Sequence, residues 1–430
     1  MVEVRGLLER FTTTDEQGAI MNPAPSGDDT TPGPDPGGVI GLVVRDLGPG
    51  AVTGADLRNR GLAHALRRTH PDSVVFEAEH LRAEVGCAQQ CAACSAADLA
   101  DYGSDRPDPF HRQYCRRACA SFQQALDERG VGAVWVSDLQ QHRYFHAARA
   151  AGVRAVGLDM HNSEADNFHD NAVHPRAAEL DSMASVDVES VRLLEDHVSR
   201  EARVVTFVSH DDEERFRARC HPAATAVVPN SVRVEGTGFP VPDGRPARPD
   251  LLFLGHLDYF PNVEAAVTLA DEVLPGLRRH RPEATLLLAG KYPNRVLRDR
   301  ADRPGVRLVA NPATTRPLLT GRILVVPLRL GGGSRLKILE AMAACVPVVA
   351  TAKGAEGLRI RPDEHYLLSG DDPGSLVAKV LQVLDDPEAD RRRRLAAHGF
   401  VRDHYSWEAI EPAVASAMKE MTAPEPGGHR

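Results

Sequence analysis

The sequence predicts an α/β protein with two domains, each built on a doubly wound parallel sheet. Its 430 residues are many for one hydrophobic core and suit two domains of ordinary size. Short apolar runs alternate with segments of helical period along both halves of the chain, as in proteins with parallel sheets. Residues 233–250, between two strand-like runs, contain four prolines and three glycines, which is the composition of a linker.

Residues 1–38 form a segment with little to bury. Positions 22–38 are rich in proline, glycine and aspartate, a composition that cannot build a packed core. We therefore predict a disordered leader, with a short helix near residues 4–11.

The first domain is predicted to span residues 39–235. An apolar strand at 39–44 is followed by a glycine- and proline-rich loop and an amphipathic helix at 54–68. A cysteine-rich insertion occupies residues 85–120. Further strands are predicted at residues 73–76, 133–136, 155–158 and 204–208.

The second domain is predicted to span residues 236–405 and repeats the same alternation. A last helix at residues 408–419 lies in a C-terminal segment, 406–430. Strands are predicted at 251–255, 284–289, 306–309, 323–326 and 347–350, with helices at 263–277, 336–344 and 376–384. Ligands of such sheets bind at the carboxyl ends of the strands, which places a site in the cleft between the domains.

Composition excludes several classes of function. The hydrophobic content of 42% and charged content of 26% are those of a soluble globular protein. No apolar run is long enough to span a bilayer, and the N-terminus lacks the apolar stretch of a signal peptide, so a cytoplasmic protein is the default expectation. A net charge of −9 argues against a nucleic-acid partner.

The stretch from residue 331 to 358, GGGSRLKILEAMAACVPVVATAKGAEGL, carries the strongest chemical signal. Three glycines leave backbone N–H groups free to approach an anion where the helix begins. Arg335 and Lys337 add positive charge, and Glu340 follows about one turn later on the same helix. This arrangement predicts a cradle for a diphosphate, with a carboxylate that accepts hydroxyl protons from a sugar or ribose.

This stretch resembles the donor-site signature of retaining glycosyltransferases of family 4, which have the GT-B fold of two facing Rossmann-like domains. Residues 253–262, FLGHLDYFPN, resemble the first strand and turn of the donor domain, and residues 227–232 the end of the acceptor domain. Residues 159–164, DMHNSE, resemble a loop at a strand end that faces the cleft. The resemblance extends from about residue 39 to residues 405–407 and is specific for fold and superfamily, but not for substrate.

The resemblance implies a metal-independent enzyme that moves a sugar from a UDP-, GDP-, ADP- or dTDP-sugar to an acceptor hydroxyl with retention. It places His161, Arg335 and Lys337 in catalytic roles and Asp159 and Glu164 beside the acceptor. The donor would be bound by Gly54, Gly255, Gly331, Gly332, Gly333, Ser334, Arg335, Lys337 and Glu340. No cofactor is required, the partners are a small-molecule donor and acceptor, and the last helix returns to the first domain. The acceptor would be a secondary metabolite or a glycan intermediate.

The chain departs from the family pattern at two places. The earlier of two glutamates that the family often carries would fall on Gly332, and His256 and Asn262 stand where many members have arginine and lysine. Two alternatives therefore stay open. One is a nucleotide-sugar 2-epimerase on the same fold; the other is a non-catalytic GT-B protein whose cysteines sense metal or redox state.

Five of the seven cysteines lie within 33 residues, at Cys87, Cys91, Cys94, Cys115 and Cys119. The first three have the spacing by which radical enzymes bind an iron–sulfur cluster, although those enzymes have a different fold. Four thiolates, or three with His111, would also suit a structural zinc ion. Unliganded thiols are the third interpretation, and disulfides are disfavoured in a reducing cytoplasm.

Overall fold

Two six-stranded parallel sheets organise the protein in a computed structural model. The structure describes residues 38–48, 53–87, 108–110, 115–176, 180, 187–234, 249–333 and 335–424. All of them belong to one compact unit, Pro34–Arg430. The predicted leader and most of the cysteine-rich insertion lie outside the described residues.

The first sheet has the strand order β2-β1-β3-β4-β5-β6, with all neighbours parallel. Its strands are β1 (Val39–Val44), β2 (Val74–Glu77), β3 (Val131–Ser137), β4 (Ala155–Met160), β5 (Val205–Phe207) and β6 (Thr225–Val227). The helices of this half are α1 (Gly54–Thr69), α2 (Ala78–Glu84), α3 (Arg116–Glu128), α4 (His142–Ala150), α5 (Glu164–Val173), α6 (Val188–Glu201) and α7 (His210–Arg217). Helices cover both faces, as the apolar strands β1, β3 and β4 require.

The second sheet has the order β12-β11-β10-β7-β8-β9 and is also parallel throughout. Its strands are β7 (Asp250–His256), β8 (Thr285–Lys291), β9 (Val306–Ala310), β10 (Ile323–Val326), β11 (Val348–Thr351) and β12 (Leu367–Ser369). The helices are α8 (Phe260–Thr268), α9 (Leu274–Arg278), α10 (Arg295–Ala301), α11 (Arg316–Leu319), α12 (Leu336–Ala343), α13 (Ala352–Ala355), α14 (Pro373–Asp385), α15 (Pro387–Tyr405) and α16 (Glu411–Thr422). A π-helical turn at Leu269–Val273 joins α8 to α9, where the sequence predicts one helix.

The end of the chain passes from one core to the other. Helix α15 packs in the core of the second sheet, whereas Val414 and Met418 of α16 pack with Trp135 on the first. At the crossing, Val232 N–H donates to the carbonyl of Tyr405 over 2.8 Å. The two halves of the chain are therefore connected here in two ways, by the hydrogen bond of Val232 and by the passage of the chain from α15 to α16.

The predicted fold class, two doubly wound α/β domains, is confirmed. Sequence periodicity identified most of the strands, because the central strands of a parallel sheet are buried on both faces and are continuously apolar. It missed the short edge strands β6 and β12, and it gave no bounds for several helices, among them α2 to α7 and α15. Among the described helices, none combines the length and apolarity that crossing a bilayer requires.

Candidate functional site

A cavity of about 310 Å³ lies where the carboxyl ends of the two sheets face each other. Strands β3 and β4 lead into it at Asp138 and His161, and β7 and β8 reach it at Gly255 and Gly290. Helices α1 and α12 begin at its wall. The position is the one that the topology of open parallel sheets favours for ligands.

The glycine-rich loop before α12 packs directly against the loop that follows β4. Gly333 has a φ of +70°, and a Cβ atom there would lie 2.7 Å from the carbonyl oxygen of His161. A side chain at this position is excluded both by the backbone conformation and by the close approach. The loop therefore reaches across the cleft and touches the first half of the chain.

Arg335 holds this loop closed and brings positive charge to the cavity. Its guanidinium donates to the carbonyl oxygens of Gly331, over 2.7 Å, and of Gly332. Its Nε is buried and has no hydrogen-bond partner within the described part of the chain. Burial lowers the pKa of Arg335. As the N-cap residue of α12, it makes no side-chain cap, so the first N–H groups of the helix are not satisfied in that way.

Lys337 lies in the first turn of the same helix and is half-buried. Its Nζ donates to Oδ1 of Asn262 over 2.7 Å and lies 4.3 Å from the ring centre of Phe253. Burial, followed by the charge of Arg335, lowers its pKa well below the usual value. Lys337 is thus positioned by the neutral amide of Asn262 and the aromatic face of Phe253. An anionic ligand would stabilise its charged form.

Glu340 completes this side of the cavity. Its Oε1 accepts a hydrogen bond of 2.6 Å from the hydroxyl of Thr315. Burial raises the pKa of Glu340 to about 7, against the opposing effects of the Thr315 hydroxyl and the Lys337 charge. Because Glu340 titrates near neutrality, it accepts hydrogen bonds from hydroxyl groups best once a bound ligand favours its ionised form.

A buried ion pair supports the opposite wall. Arg58 of α1 donates through Nε to Asp159 Oδ2 over 2.8 Å and through a second nitrogen to Oδ1. The hydroxyl of Thr206 donates to Asp159 over 2.7 Å, and Arg58 also donates to Asn230. Despite burial, the charge of Arg58 and its hydrogen bonds hold the pKa of Asp159 far below its usual range. The pair ties α1 to β4, β5 and the segment after β6.

His161 stands on this network and faces the cavity. Its Nε2 lies 2.9 Å from the Ser137 hydroxyl and 3.5 Å from Asp159 Oδ2, and its Nδ1 lies 3.9 Å from Asp138. Asp138 itself adopts a φ of 81° at the end of β3. The imidazole is therefore oriented by groups on two adjacent strands, as a side chain at a reacting centre needs to be.

Glu164 begins α5 beside His161 and also lines the cavity. Burial, with the nearby charges of Asp138 and Glu195, raises its pKa well above the usual value. A neutral carboxyl donates a hydrogen bond as well as accepting one. The acceptor role predicted for Glu164 is compatible with this position.

The position of Asp159 differs from the sequence expectation. Its side chain has no exposed surface, and both oxygens are engaged by Arg58 and by neighbouring hydroxyls. It is therefore a positioning residue beneath His161, not a contact for the acceptor. The reason is that the carboxylate, on the central strand β4, is turned toward Arg58 and toward hydroxyls on the two neighbouring strands.

The remaining predicted residues are placed as follows. Those that line the cavity are Gly54, Gly255, Gly332, Gly333, Arg335, Lys337, Glu340, His161 and Glu164. Gly331 is buried behind the cavity wall, next to Pro261 and the Tyr259 hydroxyl. Ser334 and residues 49–52 of the glycine-rich loop before α1 lie outside the described residues.

The sequence analysis did not select several side chains that the fold brings to the site. Arg58, Asn230, Tyr259, Asn167 and Thr315 are the main ones. Arg58 left a readable signal, because it lies four residues before Leu62 on the apolar face of α1, where a solvated arginine would not occur. Asn167 lies on α5, Tyr259 and Thr315 lie immediately before helices, and Asn230 lies on a loop.

The cysteine-rich segment is described only in part. Cys87, Cys115 and Cys119 are buried in the core of the first sheet, and Cys91 and Cys94 lie outside the described residues. Burial, then the electrostatic influence of Cys119 and Cys115, raises the pKa of the Tyr144 hydroxyl, and Tyr144 lies in the same core cluster as the three thiols. Zinc or iron–sulfur binding here stays a prediction.

Solved structures with the same architecture were found by comparison. The sucrose-phosphate synthase of Thermosynechococcus elongatus superposes with a TM-score of 0.64 at 18% identity, over 87% of this chain and 96% of the other. HepE of Anabaena, in complex with UDP-glucose, gives 0.62 at 13% identity, over 89% and 99%. The fold is that of the GT-B glycosyltransferases.

A protein-family model also matches part of the second half of the chain. Residues 248–386 match the model of the family "Glycosyl transferases group 1". This GT-B chain is 30% identical over 202 residues to a glycogen synthase of Mycobacterium tuberculosis, covering 45% of this chain and 48% of the relative.

A second relative is a GDP-mannose-dependent monoacylated alpha-(1-6)-phosphatidylinositol monomannoside mannosyltransferase of Corynebacterium glutamicum. It is 24% identical over 244 residues, covering 52% of this chain and 63% of the relative. The matches thus span less than two thirds of the length of either curated relative. The matched family model includes the cavity residues Arg335, Lys337 and Glu340.

Replacing Arg58 with alanine should destabilise the protein by about 3–5 kcal/mol, because Asp159 would remain buried without its partner. Arg68→Ala, on the exposed face of the same helix, should cost less than about 1 kcal/mol. Because the pKa of Asp159 is depressed in the fold, its contribution is present above pH about 4 and is lost as the pH falls further. Denaturant titrations from pH 7 to pH 3 would measure both effects; equal losses for the two variants would contradict the role of the pair.

Replacing Glu340 with glutamine should stabilise the ligand-free protein increasingly as the pH rises from 5 to 8. The folded-state pKa of Glu340 is raised, so the wild type loses stability as the pH rises through the unfolded value toward 7, and glutamine does not titrate. Thermal unfolding at several pH values measures the difference. The exposed Glu388→Gln should show no such trend, and a constant offset for Glu340→Gln would contradict the raised pKa.

Proposed function

We propose that this chain is a retaining glycosyltransferase that moves a sugar from a nucleoside-diphosphate sugar to an acceptor hydroxyl. The observation that carries the proposal is the convergence of Arg335, Lys337 and the uncapped start of α12 on one cavity between two parallel sheets. Lys337 is bonded to a neutral amide, and Arg335 makes only a 4.0 Å ion pair with Glu356, so both cations favour a further anion of complementary charge. The diphosphate of a nucleotide sugar has that charge and size.

On the donor side, the diphosphate would lie against the start of α12 and accept from Lys337 and the unpartnered Nε of Arg335. These donors would stabilise the leaving phosphate as the bond to the sugar breaks, which is the largest electrostatic demand of the reaction. The proposal requires no metal for this step. Glu340 would accept from the ribose hydroxyls of the nucleotide.

On the acceptor side, His161 would hydrogen-bond the sugar or the attacking hydroxyl. Glu164 and the amides of Asn162 and Asn167 line the same region and are suited to hold hydroxyl groups of the acceptor. This lining favours a polyhydroxylated compound, such as a glycan intermediate or a glycosylated secondary metabolite. Retention would follow a front-face path in which the leaving phosphate assists deprotonation of the acceptor.

The comparisons suggest which nucleotides to test first. HepE, among the structural neighbours, is described with UDP-glucose, and the Corynebacterium glutamicum relative is named as GDP-mannose-dependent. We therefore propose a UDP- or GDP-sugar as the donor, with ADP and dTDP as the comparison set.

Thermal unfolding with each nucleoside diphosphate should show one clear stabilising ligand. At about 100 times its dissociation constant, a ligand stabilises the native state by roughly 2.7 kcal/mol. Arg335→Ala and Lys337→Ala should each abolish most of the shift, whereas Arg295→Ala, at an exposed site in the same half of the chain, should not. The absence of any shift with all four nucleotides would contradict the proposal.

Incubation of the responding nucleotide sugar with pooled polyol, glycan and glycoside acceptors should release nucleotide and form a product with the anomeric configuration of the donor. NMR of the new glycosidic bond measures that configuration, and an EDTA control tests independence from metal. An inverted product would contradict the front-face path.

Conversion of the nucleotide sugar to its epimer without acceptor would instead support the epimerase, which carboxyl groups at Asp138 and Glu164 could serve. Binding without either reaction would support a non-catalytic protein.

A further inference from the structure

A cluster of two histidines and a glutamate lies away from the cleft, between α4 and α6. His146 comes from α4, and His197 and Glu201 come from successive turns of α6. One ligand atom from each lies within 4.8 Å of the other two, and they are the one such group of three that the described residues contain. The His146 and His197 rings are 5.4 Å apart between centres, and His197 Nε2 lies 3.5 Å from Glu201.

We propose that His146, His197 and Glu201 bind a divalent transition-metal ion, with zinc the best fit, that joins α4 to α6. Two imidazoles and one carboxylate form a ligand set that zinc accepts, with a water in the fourth position. In a tetrahedral zinc site with bonds of about 2.0–2.2 Å, ligand atoms are roughly 3.4 Å apart. Small side-chain rotations would therefore close the present spacing around an ion.

The state of His146 supports this assignment. Its Nε2 is buried and has no hydrogen-bond partner among the described residues, which is unusual for a polar side-chain atom. In the neutral imidazole, this nitrogen can offer its lone pair to a metal ion. A metal ion would satisfy this nitrogen.

The surroundings also distinguish the three ligands from their neighbours. His142, one turn earlier on α4, is engaged at both ring nitrogens, with the carbonyl of Leu139 at 3.2 Å and with Asp108 at 3.1 Å. Asp108 also pairs with Arg143 over 2.8 Å, which offsets the positive charge of that arginine. The negative charge of Glu201 therefore remains available to attract a cation to the site.

The two helices that the ion would join both support the wall of the cleft. Helix α4 follows Asp138 and Gln140, which line the cavity. Helix α6 carries Glu195, which accepts from the backbone N–H of Ala165 at the start of α5. The ion would therefore have a structural role outside the lining of the cavity, and the proposal does not depend on the transferase function.

The test uses the full chain, stripped with a chelator, dialysed and titrated with Co²⁺ as a spectroscopic substitute for zinc. We expect one ion per chain at this site, weak visible bands without a thiolate charge-transfer band, and a higher unfolding temperature with Co²⁺ or Zn²⁺. His146→Ala and His197→Ala should each weaken binding at least tenfold. His80→Ala is the matched control, because His80 and Glu84 form the same i, i+4 pair on α2 at 3.0 Å without a second histidine.

Binding that survives in both His146→Ala and His197→Ala would overturn the proposal, and so would a Co²⁺ spectrum dominated by thiolate charge transfer, which would place the ion on the cysteines. His197 is partly exposed, so its alanine variant should fold even if that of His146 does not. Circular dichroism of the metal-free proteins checks this. Failure of the metal site would leave the nucleotide shift unchanged, so the two proposals can be judged separately.

Discussion

The buried ion pair of Arg58 and Asp159 is the interaction on which the wall of the cleft depends. It joins the first helix to the middle of the first sheet, and through the shared Ser137 hydroxyl it orients His161. A buried ion pair contributes little net stability compared with apolar packing. The folded protein is nevertheless strongly destabilised when one partner of the pair is removed. Its value in this fold is therefore positional: it fixes α1, β4 and β5 in one arrangement at the edge of the cavity.

The other wall is set by a different constraint, the close approach of the glycine-rich loop to the loop after β4. At Gly333 the backbone takes a positive φ against the carbonyl of His161, and Arg335 closes the loop through the carbonyls of Gly331 and Gly332. This geometry also sets the electrostatic environment of Lys337 and Arg335. Lys337 and Arg335 are brought into a partly dehydrated space where their charged forms are disfavoured, so an anionic ligand gains more there than it would at the surface.

At each of the two departures from the family pattern, the structure shows which contacts the residue of this chain makes. Where many members of the family that the sequence resembles have a lysine after the first donor-domain strand, Asn262 accepts from Lys337 and donates to the carbonyl of His256. Lys337 is thus held by a neutral partner at a position where many members have another cation. The place of the missing glutamate is occupied by Gly332, whose backbone lies close to Asn162 across the cleft.

The fold class and the proximity of Arg335, Lys337 and Glu340 follow from the sequence alone. Continuous apolar strands and helical periods are local signals, and Gly331 to Glu340 are contiguous, so chain geometry alone brings them together. The tertiary structure decided what depends on distant contacts. Asp159 appeared suited to the acceptor but is buried, because Arg58, 101 residues away, binds it. The grouping of His146 with His197 and Glu201 arises in the same way, since only the packing of α4 beside α6 brings these side chains together.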